Sequence, residues 1–410
     1  LPGWLSFDAS TRTFSGTPGN DDVGALDVRV TATDPHGASV DDVFTLTTAN
    51  TNDGPDDLSL SSTAVDENSS NGTVVGTATG SDADVGDTLT YALTDDAGGR
   101  FTINSSTGEI TVANSALLDH EAADTLDVTV QVTDAAGASY DETFTVAVGD
   151  VNEGPVALDD TGTTSENAAV TVDVLGNDTD VDAGDSLSLS SVSLVGGSGS
   201  VSIVGGEVSY DPGSSYDHLA VGETATVEVD YVVADSGGLT DTGRLTLTVT
   251  GSNDGPVVAS SLADQSATED AAFSYQVPAS SFSDVDASDT LSYTATLADG
   301  SALPGWLSFD AATRTFSGTP GNDDVGALDV RVTATDDHGS SVDDVFTLTT
   351  ANTNDGPDDL ALSNASVNEN SSNGTVVGTA TGSDADVGDT LTYALTDDAG
   401  GRFTINSSTG

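Results

Sequence analysis

The sequence of 410 residues contains no cysteine, no lysine and no methionine. The absence of cysteine excludes disulfides and thiol chemistry, so a secreted chain of this composition needs another source of rigidity. No uninterrupted apolar run is long enough to span a membrane, and we expect no membrane insertion of this segment. Because there is neither a signal peptide nor an initiator methionine, we expect the sequence to start and stop inside a larger protein.

Positive charge is also scarce. Seven arginines face 68 acidic residues, which gives a formal net charge of −61. Such a surface repels phosphate backbones and anionic lipids, which excludes nucleic acid as a partner and disfavours a membrane surface. So acidic a composition is also typical of a disordered chain, which is the alternative to a folded protein. However, 36% hydrophobic residues in regular alternation indicate folded cores. Carboxylates are ligands of hard divalent cations, so the composition itself points to calcium.

An internal repeat dominates the sequence. Residues 1–55 recur almost unchanged at 303–357, and residues 56–108 recur at 358–410, an offset of 302 residues in both cases. Within this long repeat, short Asn/Asp-Gly-Pro-type signatures end at four prolines spaced 100, 101 and 101 residues apart. They are Pro55, Pro155, Pro256 and Pro357. Such Pro- and Gly-containing segments after strand-like runs mark domain boundaries. The predicted domains are 56–155, 156–256 and 257–357, flanked by half-domains 1–55 and 358–410.

Strand periodicity runs through the whole chain. Apolar residues occupy every second position in Leu126–Val132 and in Val227–Val233, and no segment has helical periodicity over 12 residues. Domains of about 100 residues with short alternating strands and frequent turns favour a two-sheet sandwich. The predicted fold class is therefore all-β: tandem Greek-key β-sandwiches of the cadherin/Ig-like kind in an extended rod.

The acidic residues cluster in loops, as expected of groups gathered at the ends of sandwiches. Glu67-Asn68, Leu118-Asp-His-Glu121 and Asp150-Val-Asn-Glu-Gly-Pro155 resemble the cadherin motifs EN, LDRE and DxNDNxP, and the Asp-x-Asp pairs that begin at Asp82, Asp180, Asp284 and Asp384 resemble the cadherin DxD. In cadherins, such groups from two successive domains surround calcium ions.

The resemblance implies a set of calcium ligands at each junction. These are Asn52, Asp53, Asp82, Asp84 and Asp134 at Pro55; Glu67, Asp119, Glu121, Asp150, Asn152, Glu153, Asp180, Asp182 and Asp235 at Pro155; Glu166, Asn253, Asp254, Asp284, Asp286 and Asp336 at Pro256; and Glu269, Asn354, Asp355, Asp384 and Asp386 at Pro357.

The domains differ from one another. Domain 56–155 resembles an ordinary cadherin repeat, and 156–256 resembles a cadherin-like domain of bacterial surface proteins. Domain 257–357 and half-domain 1–55 resemble the dystroglycan-type cadherin-like domain through the Leu-Pro-Gly-Trp-Leu motif at 303–307 and its copy. The junctions also differ, because only Pro155 has Asp five residues before it. Asn50, Gly251 and Asn352 hold this position elsewhere, and we expect fewer or weaker ions at Pro256.

Other site types have little support. Trp306 lies in an alternating pattern and is predicted to be a core anchor, with a sugar-stacking role as the alternative. The four histidines have no second histidine or cysteine nearby for zinc, and no catalytic constellation stands out. The mixture of domain types resembles giant bacterial surface adhesins.

The predicted function is a non-enzymatic, calcium-rigidified extender segment of a secreted or cell-surface adhesin, supporting cell adhesion or biofilm. The alternatives are a filament or matrix subunit whose half-domains are completed by neighbouring copies, and a module that binds host or matrix glycans or other copies of itself.

Overall fold

The computed structural model describes all 410 residues and contains no α-helix, with 45% of residues in strands. Contacts divide the chain into two compact units. The first comprises residues 1–157, 178–188 and 233–241, and the second comprises 158–177, 189–232 and 242–410. The residues predicted to form the Pro55 and Pro155 junctions therefore all belong to the first unit, and those of the Pro256 and Pro357 junctions to the second.

Twelve strands and two short 3-10 helices lie within residues 1–149. The strands are β1 Leu5–Asp8, β2 Thr13–Gly16, β3 Gly24–Thr33, β4 Ser39–Thr48, β5 Asp57–Leu60, β6 Ala64–Asp66, β7 Val74–Ser81, β8 Thr90–Asp95, β9 Phe101–Ile103, β10 Glu109–Val112, β11 Thr125–Thr133 and β12 Ser139–Gly149; the 3-10 helices are Asn20–Asp22 and Ser115–Leu117.

Strands β5 to β12 build a two-sheet sandwich. One sheet has the order β5-β7-β10-β9, and the other has the order β6-β12-β11-β8, with β6 parallel to β12. Val128, Val130 and Val132 of β11 are fully buried with Phe101 and Ile110, while intervening β11 side chains lie on the other face. This period of two is what the sequence predicts for a half-buried strand, and the strand order is that of a Greek-key sandwich.

The strands from residue 160 onward are β13 Asp160–Ser165, β14 Val170–Val172, β15 Ser188–Gly196, β16 Ser200–Val204, β17 Glu207–Asp211, β18 Thr224–Ala234, β19 Thr240–Thr250, β20 Val257–Val258, β21 Gln265–Thr268, β22 Phe273–Gln276, β23 Phe282–Ser283, β24 Ser292–Leu297, β25 Leu307–Asp310, β26 Thr315–Gly318, β27 Gly326–Thr335, β28 Ser341–Ala351, β29 Asp359–Leu362 and β30 Ala380–Ser383; a 3-10 helix spans Asn322–Asp324.

Two further sandwiches follow. Strands β13 to β19 form sheets of order β13-β19-β18-β15 and β14-β17-β16, with Tyr210, Leu245 and Leu247 fully buried. Strands β20 to β28 form sheets of order β21-β28-β27-β24, β22-β26-β25 and β20-β23. In this last sandwich Trp306 packs edge-on against Phe273, with ring centroids 6.4 Å apart, and contacts the buried core. Trp306 is therefore a core anchor, as the alternating pattern predicts.

The two ends of the chain contain isolated two-stranded sheets. Residues 1–55 form the pairs β1-β2 and β3-β4, and residues 358–410 form the pair β29-β30. Phe316 is fully buried in its complete sandwich, whereas its copy Phe14 is partly exposed. This phenylalanine, in the same local sequence, is therefore fully buried only in the copy whose sandwich also contains β20 to β24.

Candidate calcium sites at the domain junctions

Each junction is held by hydrogen bonds from the linker to the sandwich that follows it. The side-chain NH2 group of a linker asparagine donates to the Oδ2 atom of an aspartate. This aspartate is the first residue of the turn that follows β11, β18 or β27. These bonds are Asn52 to Asp134 at 2.7 Å, Asn152 to Asp235 at 2.9 Å and Asn253 to Asp336 at 3.1 Å.

A second bond joins the next linker residue to the second aspartate of the Asp-x-Asp pair. Its backbone N–H donates to the Oδ2 atom of that aspartate at all four junctions. The pairs are Asp53 with Asp84 at 2.8 Å, Glu153 with Asp182 at 2.8 Å, Asp254 with Asp286 at 2.9 Å and Asp355 with Asp386 at 2.7 Å. The repeated sequence motif is therefore a repeated geometry, in which one oxygen of each aspartate binds the linker.

The glutamate of the preceding sandwich fixes the other side of the linker. It is the first residue after β6, β13 or β21, and its Oε1 atom accepts a linker N–H. The pairs are Glu67 with Val151 at 2.9 Å, Glu166 with Ser252 at 2.8 Å and Glu269 with Thr353 at 2.5 Å. All three glutamates are at least 97% buried.

The remaining carboxylate oxygens are mostly buried without any partner. They are Asp82 Oδ2, Asp84 Oδ1, Glu153 Oε2, Glu166 Oε2, Asp180 Oδ2, Asp182 Oδ1, Glu269 Oε2, Asp284 Oδ2 and Asp286 Oδ1. Glu67 differs, because its Oε2 atom accepts the N–H of His120 at 2.7 Å. Buried acceptors normally have partners, and an unpaired buried carboxylate is especially costly. In the Asp-x-Asp pairs, the second aspartate has one oxygen engaged by the linker and the first has one engaged by its own loop, while most of the other oxygens have no partner.

Three sets of side chains at the Pro155 junction each bring their ligand atoms within 4.8 Å of one another. The sets are Glu67, Glu121 and Glu153; His120, Glu121 and Asp150; and Asp180, Asp182 and Asp185. A cavity of about 260 Å³ is lined by the first set together with Asp119. Two carboxylates at this separation repel by on the order of 3 kcal/mol at an effective dielectric constant of about 20. A divalent cation would convert this repulsion into attraction.

Burial shifts the titration of several junction carboxyls. It raises the pKa of Glu153 above its ordinary value, and likewise that of Asp254 and Asp286. For Asp235 burial acts in the same direction, but hydrogen bonds from Asn152 and from N–H groups of the hairpin outweigh it and lower the pKa. The junction acids are therefore desolvated beside like charges, which is the condition that a bound cation relieves.

At the Pro256 junction Gly251 holds the position that Asp150 holds at Pro155. A side chain at Gly251 would place its Cβ atom 2.2 Å from the carbonyl oxygen of Leu219, so the backbone itself fills the place of the absent aspartate. Asp217 lies in the same loop, and its charge helps to raise the pKa of Asp254. The loop also touches the following sandwich, because the N–H of Ala287 donates to the carbonyl of His218 at 3.2 Å.

At the Pro357 junction an amide takes the place of the first linker acid. Asn352 donates to the Oδ1 atom of Asp386 at 3.0 Å, so both oxygens of Asp386 are engaged by the protein. Asn322, in a 3-10 helix, donates to Asp355 at 2.7 Å, and its copy Asn20 donates to Asp53 at the same distance. A compact acidic set at this junction comprises Glu269, Asp355 and Asp386.

Sequence reasoning missed several junction residues. Asp217 and Asn322 were not singled out, because they belong to loops whose motifs differ from the cadherin LDRE. The third aspartate of the DxD loop was also missed, although it recurs three residues after the second in every repeat. These residues are Asp87, Asp185, Asp289 and Asp389.

The donor set fits calcium. Apart from His120, every junction group is a carboxylate, an amide oxygen or a backbone carbonyl, and calcium takes six to eight such oxygens. Zinc is a poor fit, because His120 donates its Nδ1 hydrogen to the carbonyl of Val148 at 2.8 Å and has no cysteine or second histidine beside it in the acidic set.

Comparison with known families agrees with the fold and the junction motifs. Residues 61–149 match the cadherin domain, residues 152–251 match the bacterial cadherin-like domain, and residues 1–49 and 255–351 match a putative Ig domain. These matches define the class as tandem cadherin-like and Ig-like β-sandwich modules. The chain thus contains a segment similar to the cadherin domain and one similar to the bacterial cadherin-like domain, flanked by segments similar to a putative Ig domain, and cadherin-like modules are non-enzymatic and structural.

Individual relatives are cadherins. Cadherin-87A of Drosophila melanogaster is 38% identical over 114 residues, which cover 26% of this chain and 6% of that protein. The extracellular domain of protocadherin GammaB4 is 17% identical, with a TM-score of 0.59 over 99% of this chain and 70% of that chain. A fragment of mouse cadherin-23 is 18% identical, with a TM-score of 0.52 over 71% and 96%. The structural likenesses show the fold alone. Cadherin domains in general bind calcium at interdomain junctions.

No helix of the structure is long and apolar enough to cross a membrane.

Proposed function

We propose that this chain is a structural extender segment of a secreted or cell-surface adhesin, with calcium ions at its interdomain junctions. One observation carries the proposal: at successive junctions, buried carboxylate oxygens without partners converge beside carboxylates already fixed to the linker. The chain spans 6% of Cadherin-87A, so adhesion by the whole protein, its extracellular location, its bacterial origin and a role in biofilm belong to the proposal.

The mechanism is restriction of the linkers between the proposed domains 56–155, 156–256 and 257–357. At the Pro155 junction the ions would be held by residues of both adjoining domains, with Asn152 orienting the linker. Domain 56–155 would supply Glu67, Asp119, Glu121, Asp150 and Glu153, and domain 156–256 would supply Asp180, Asp182 and Asp235. Each side of the junction would then bind the same ions, which opposes bending. Without calcium the like charges repel, although the linker keeps its hydrogen bonds.

The junctions differ in their proposed calcium affinity. Pro155 combines three acidic sets, whereas Pro256 has a glycine where Pro155 has Asp150, and Pro357 engages both oxygens of Asp386 with the protein. We therefore propose the highest calcium affinity at Pro155. A segment with unequal junctions would stiffen in steps as the calcium concentration rises.

The other two functions considered have less support. Residues 1–55 and 358–410 are copies of parts of two different sandwiches, so a filament in which they complete each other has less support than the extender. A glycan platform would need exposed aromatic rings, but Trp306 is partly buried and packs against the core of its sandwich. The exposed rings Phe7, Phe44 and Phe403 lie in the two end pieces.

Calorimetric titration of calcium into the chelator-treated 410-residue chain tests the proposal. We expect several ions per chain in at least two affinity classes, because the junctions differ in charge and in free oxygens. Magnesium at the same concentration should bind more weakly, because it demands a smaller octahedral site and loses water reluctantly. A chain that takes up no calcium at millimolar concentration would contradict the proposal.

A further inference from the structure

One stretch of this acidic chain carries no charge at all. Residues 186–206, which include β15 and β16, contain neither acidic nor basic side chains, although 68 of the 410 residues are acidic. The next longest uncharged runs are the shorter stretch 68–81 and its copy 370–383. We propose that β15 is a docking edge for a second copy of this chain, whose own β15 pairs with it antiparallel about a two-fold axis. This inference goes beyond the proposed extender and does not depend on calcium.

Strand β15 is an edge strand with one free side. It is hydrogen-bonded only to β18, at the end of the order β13-β19-β18-β15. It is 9 residues long, whereas the other edge strands of the three sandwiches have at most 6. Edge strands commonly avoid pairing with other chains by being short or by carrying charge or proline. The sequence Ser188–Gly196 has none of these features, so its free N–H and C=O groups are a template for a further strand.

The turn after β15 holds this edge in place. The hydroxyl of Tyr216 accepts the N–H of Ser198 at 2.7 Å, and the hydroxyl of Tyr210 donates to the carbonyl of Ser198 at 2.6 Å. Both tyrosines are buried, and a Cβ atom at Gly199 would lie 2.7 Å from the carbonyl oxygen of Asp211. Because this end of the strand is already ordered, little conformational entropy is lost when a partner strand binds.

The burial pattern of β15 suits pairing with itself. Along 188–195 the exposed and half-buried residues follow an order that matches its own reverse in one antiparallel register. In that register the facing pairs between the two copies are Ser188 with Val195, Leu189 with Leu194, Ser190 with Ser193 and Ser191 with Val192. Only the last, central pair combines an exposed with a half-buried residue. None of the pairs sets like charges opposite one another, which would weaken the pairing of the strands.

Charge favours a second copy as the occupant of this edge. Two copies of net charge −61 repel wherever their acidic surfaces meet, and at physiological ionic strength this repulsion reaches about 8 Å. A Cβ atom at Gly196 would lie 3.2 Å from Oε2 of Glu228 on β18. Arg244 compensates the charge there, because it lies 3.6 Å from Glu228 and 2.8 Å from Asp230. A cationic partner would instead favour the acidic loops, which offer it far more charge.

Analytical ultracentrifugation of the 410-residue chain tests the proposal. We expect a monomer–dimer equilibrium without larger species, because two β15 edges that pair leave neither of them free. The dimer should strengthen as sodium chloride screens the net charge. Ser191→Glu places two carboxylates beside the two-fold axis and should weaken the dimer at least about tenfold. Ser214→Glu makes the same change of charge in an exposed turn of the same sandwich and should match the unaltered chain.

Hydrogen exchange of the unaltered chain identifies the pairing strand without any substitution. Amides of 188–196 should exchange several-fold more slowly in the dimer than in the dilute monomer, while those of Ser200–Val204 should not change. Equal thermal midpoints of the two variants show that Ser191→Glu is folded, and if the midpoints differ, the exchange of 188–196 decides.

A chain that stays monomeric up to submillimolar concentration would overturn the proposal. A dimer that both variants weaken equally, or slower exchange confined to another strand, would also overturn it. All these measurements are repeated in chelator, where the dimer should persist, so their outcome is separate from that of the calcium titration.

Discussion

Removal of calcium should lower the thermal midpoint of the 410-residue chain by roughly 10 °C or more. A ligand present at 100 times its dissociation constant stabilises the folded state by about 2.7 kcal/mol. For a sandwich of about 100 residues, each kcal/mol shifts the midpoint by about 4–8 °C. The junction carboxylates supply the physical reason, since buried oxygens such as the Oδ1 atoms of Asp182 and Asp286 have no other partner. Differential scanning calorimetry in calcium and in chelator measures the shift.

Two controls make this measurement specific. Sodium chloride at matched ionic strength screens exposed charges without entering the junctions, so it should recover little of the lost stability. Magnesium should recover less than calcium, for the coordination reasons given above. Equal midpoints in calcium and chelator would mean that the acidic loops only keep the surface soluble.

Neutralising one buried glutamate should have the second large effect. Glu67→Gln should weaken calcium binding at the Pro155 junction by roughly 10–100-fold, the range for residues that orient metal ligands. Both Glu67 oxygens accept N–H groups, from Val151 and His120, and one of them lies within 4.8 Å of ligand atoms of Glu121 and Glu153. The amide oxygen can still accept the N–H of Val151, so the linker contact survives. In chelator two effects oppose each other, because repulsion with Glu121 and Glu153 is removed, whereas the amide NH2 group cannot accept the N–H of His120 that Glu67 Oε2 accepts. The loss of stability caused by the substitution should therefore be larger in calcium than in chelator.

The repeat supplies a matched control for this substitution. Glu369 is the copy of Glu67 and is followed by the same eight residues, Asn-Ser-Ser-Asn-Gly-Thr-Val-Val. It is exposed, whereas Glu67 is 97% buried. Glu369→Gln should therefore leave calcium titration and melting unchanged. If the two variants behave alike, the calcium effect of Glu67 comes from net charge and not from its place in the junction.

Much of the fold follows from the sequence because its signals are local and repeated. Alternation in Leu126–Val132 predicts the buried face of β11. The cadherin motifs are matched by the family comparisons, whereas the segments with the LPGWL motif, predicted to be dystroglycan-type cadherin-like domains, match a putative Ig domain. Pairing the strands into particular sheets was beyond the sequence, because β6 joins β12 across about 80 residues. Such long-range register depends on packing that no local pattern records.

The geometry of the junctions, like the pairing of the strands, could be predicted only in part from the sequence. The recurring Asp-x-Asp pairs predict acids in one place, but which oxygen of each carboxylate accepts a linker or loop N–H depends on the directions of the backbone N–H groups. Gly251 shows this most clearly, because its sequence predicts a lost ligand, while the structure adds that Leu219 leaves no room for a side chain there. Asp217 and Asn322 reach the junctions from a loop and a 3-10 helix outside the recognised motifs.

The central claim is that calcium at the junctions restricts the linkers of an extender segment. Small-angle X-ray scattering of the 410-residue chain in calcium and in chelator, at matched ionic strength, tests it most directly. We predict a larger maximum dimension and a narrower distribution of interatomic distances in calcium, with Glu67→Gln intermediate and Glu369→Gln indistinguishable from the unaltered chain. Scattering profiles that coincide with and without calcium would contradict the account.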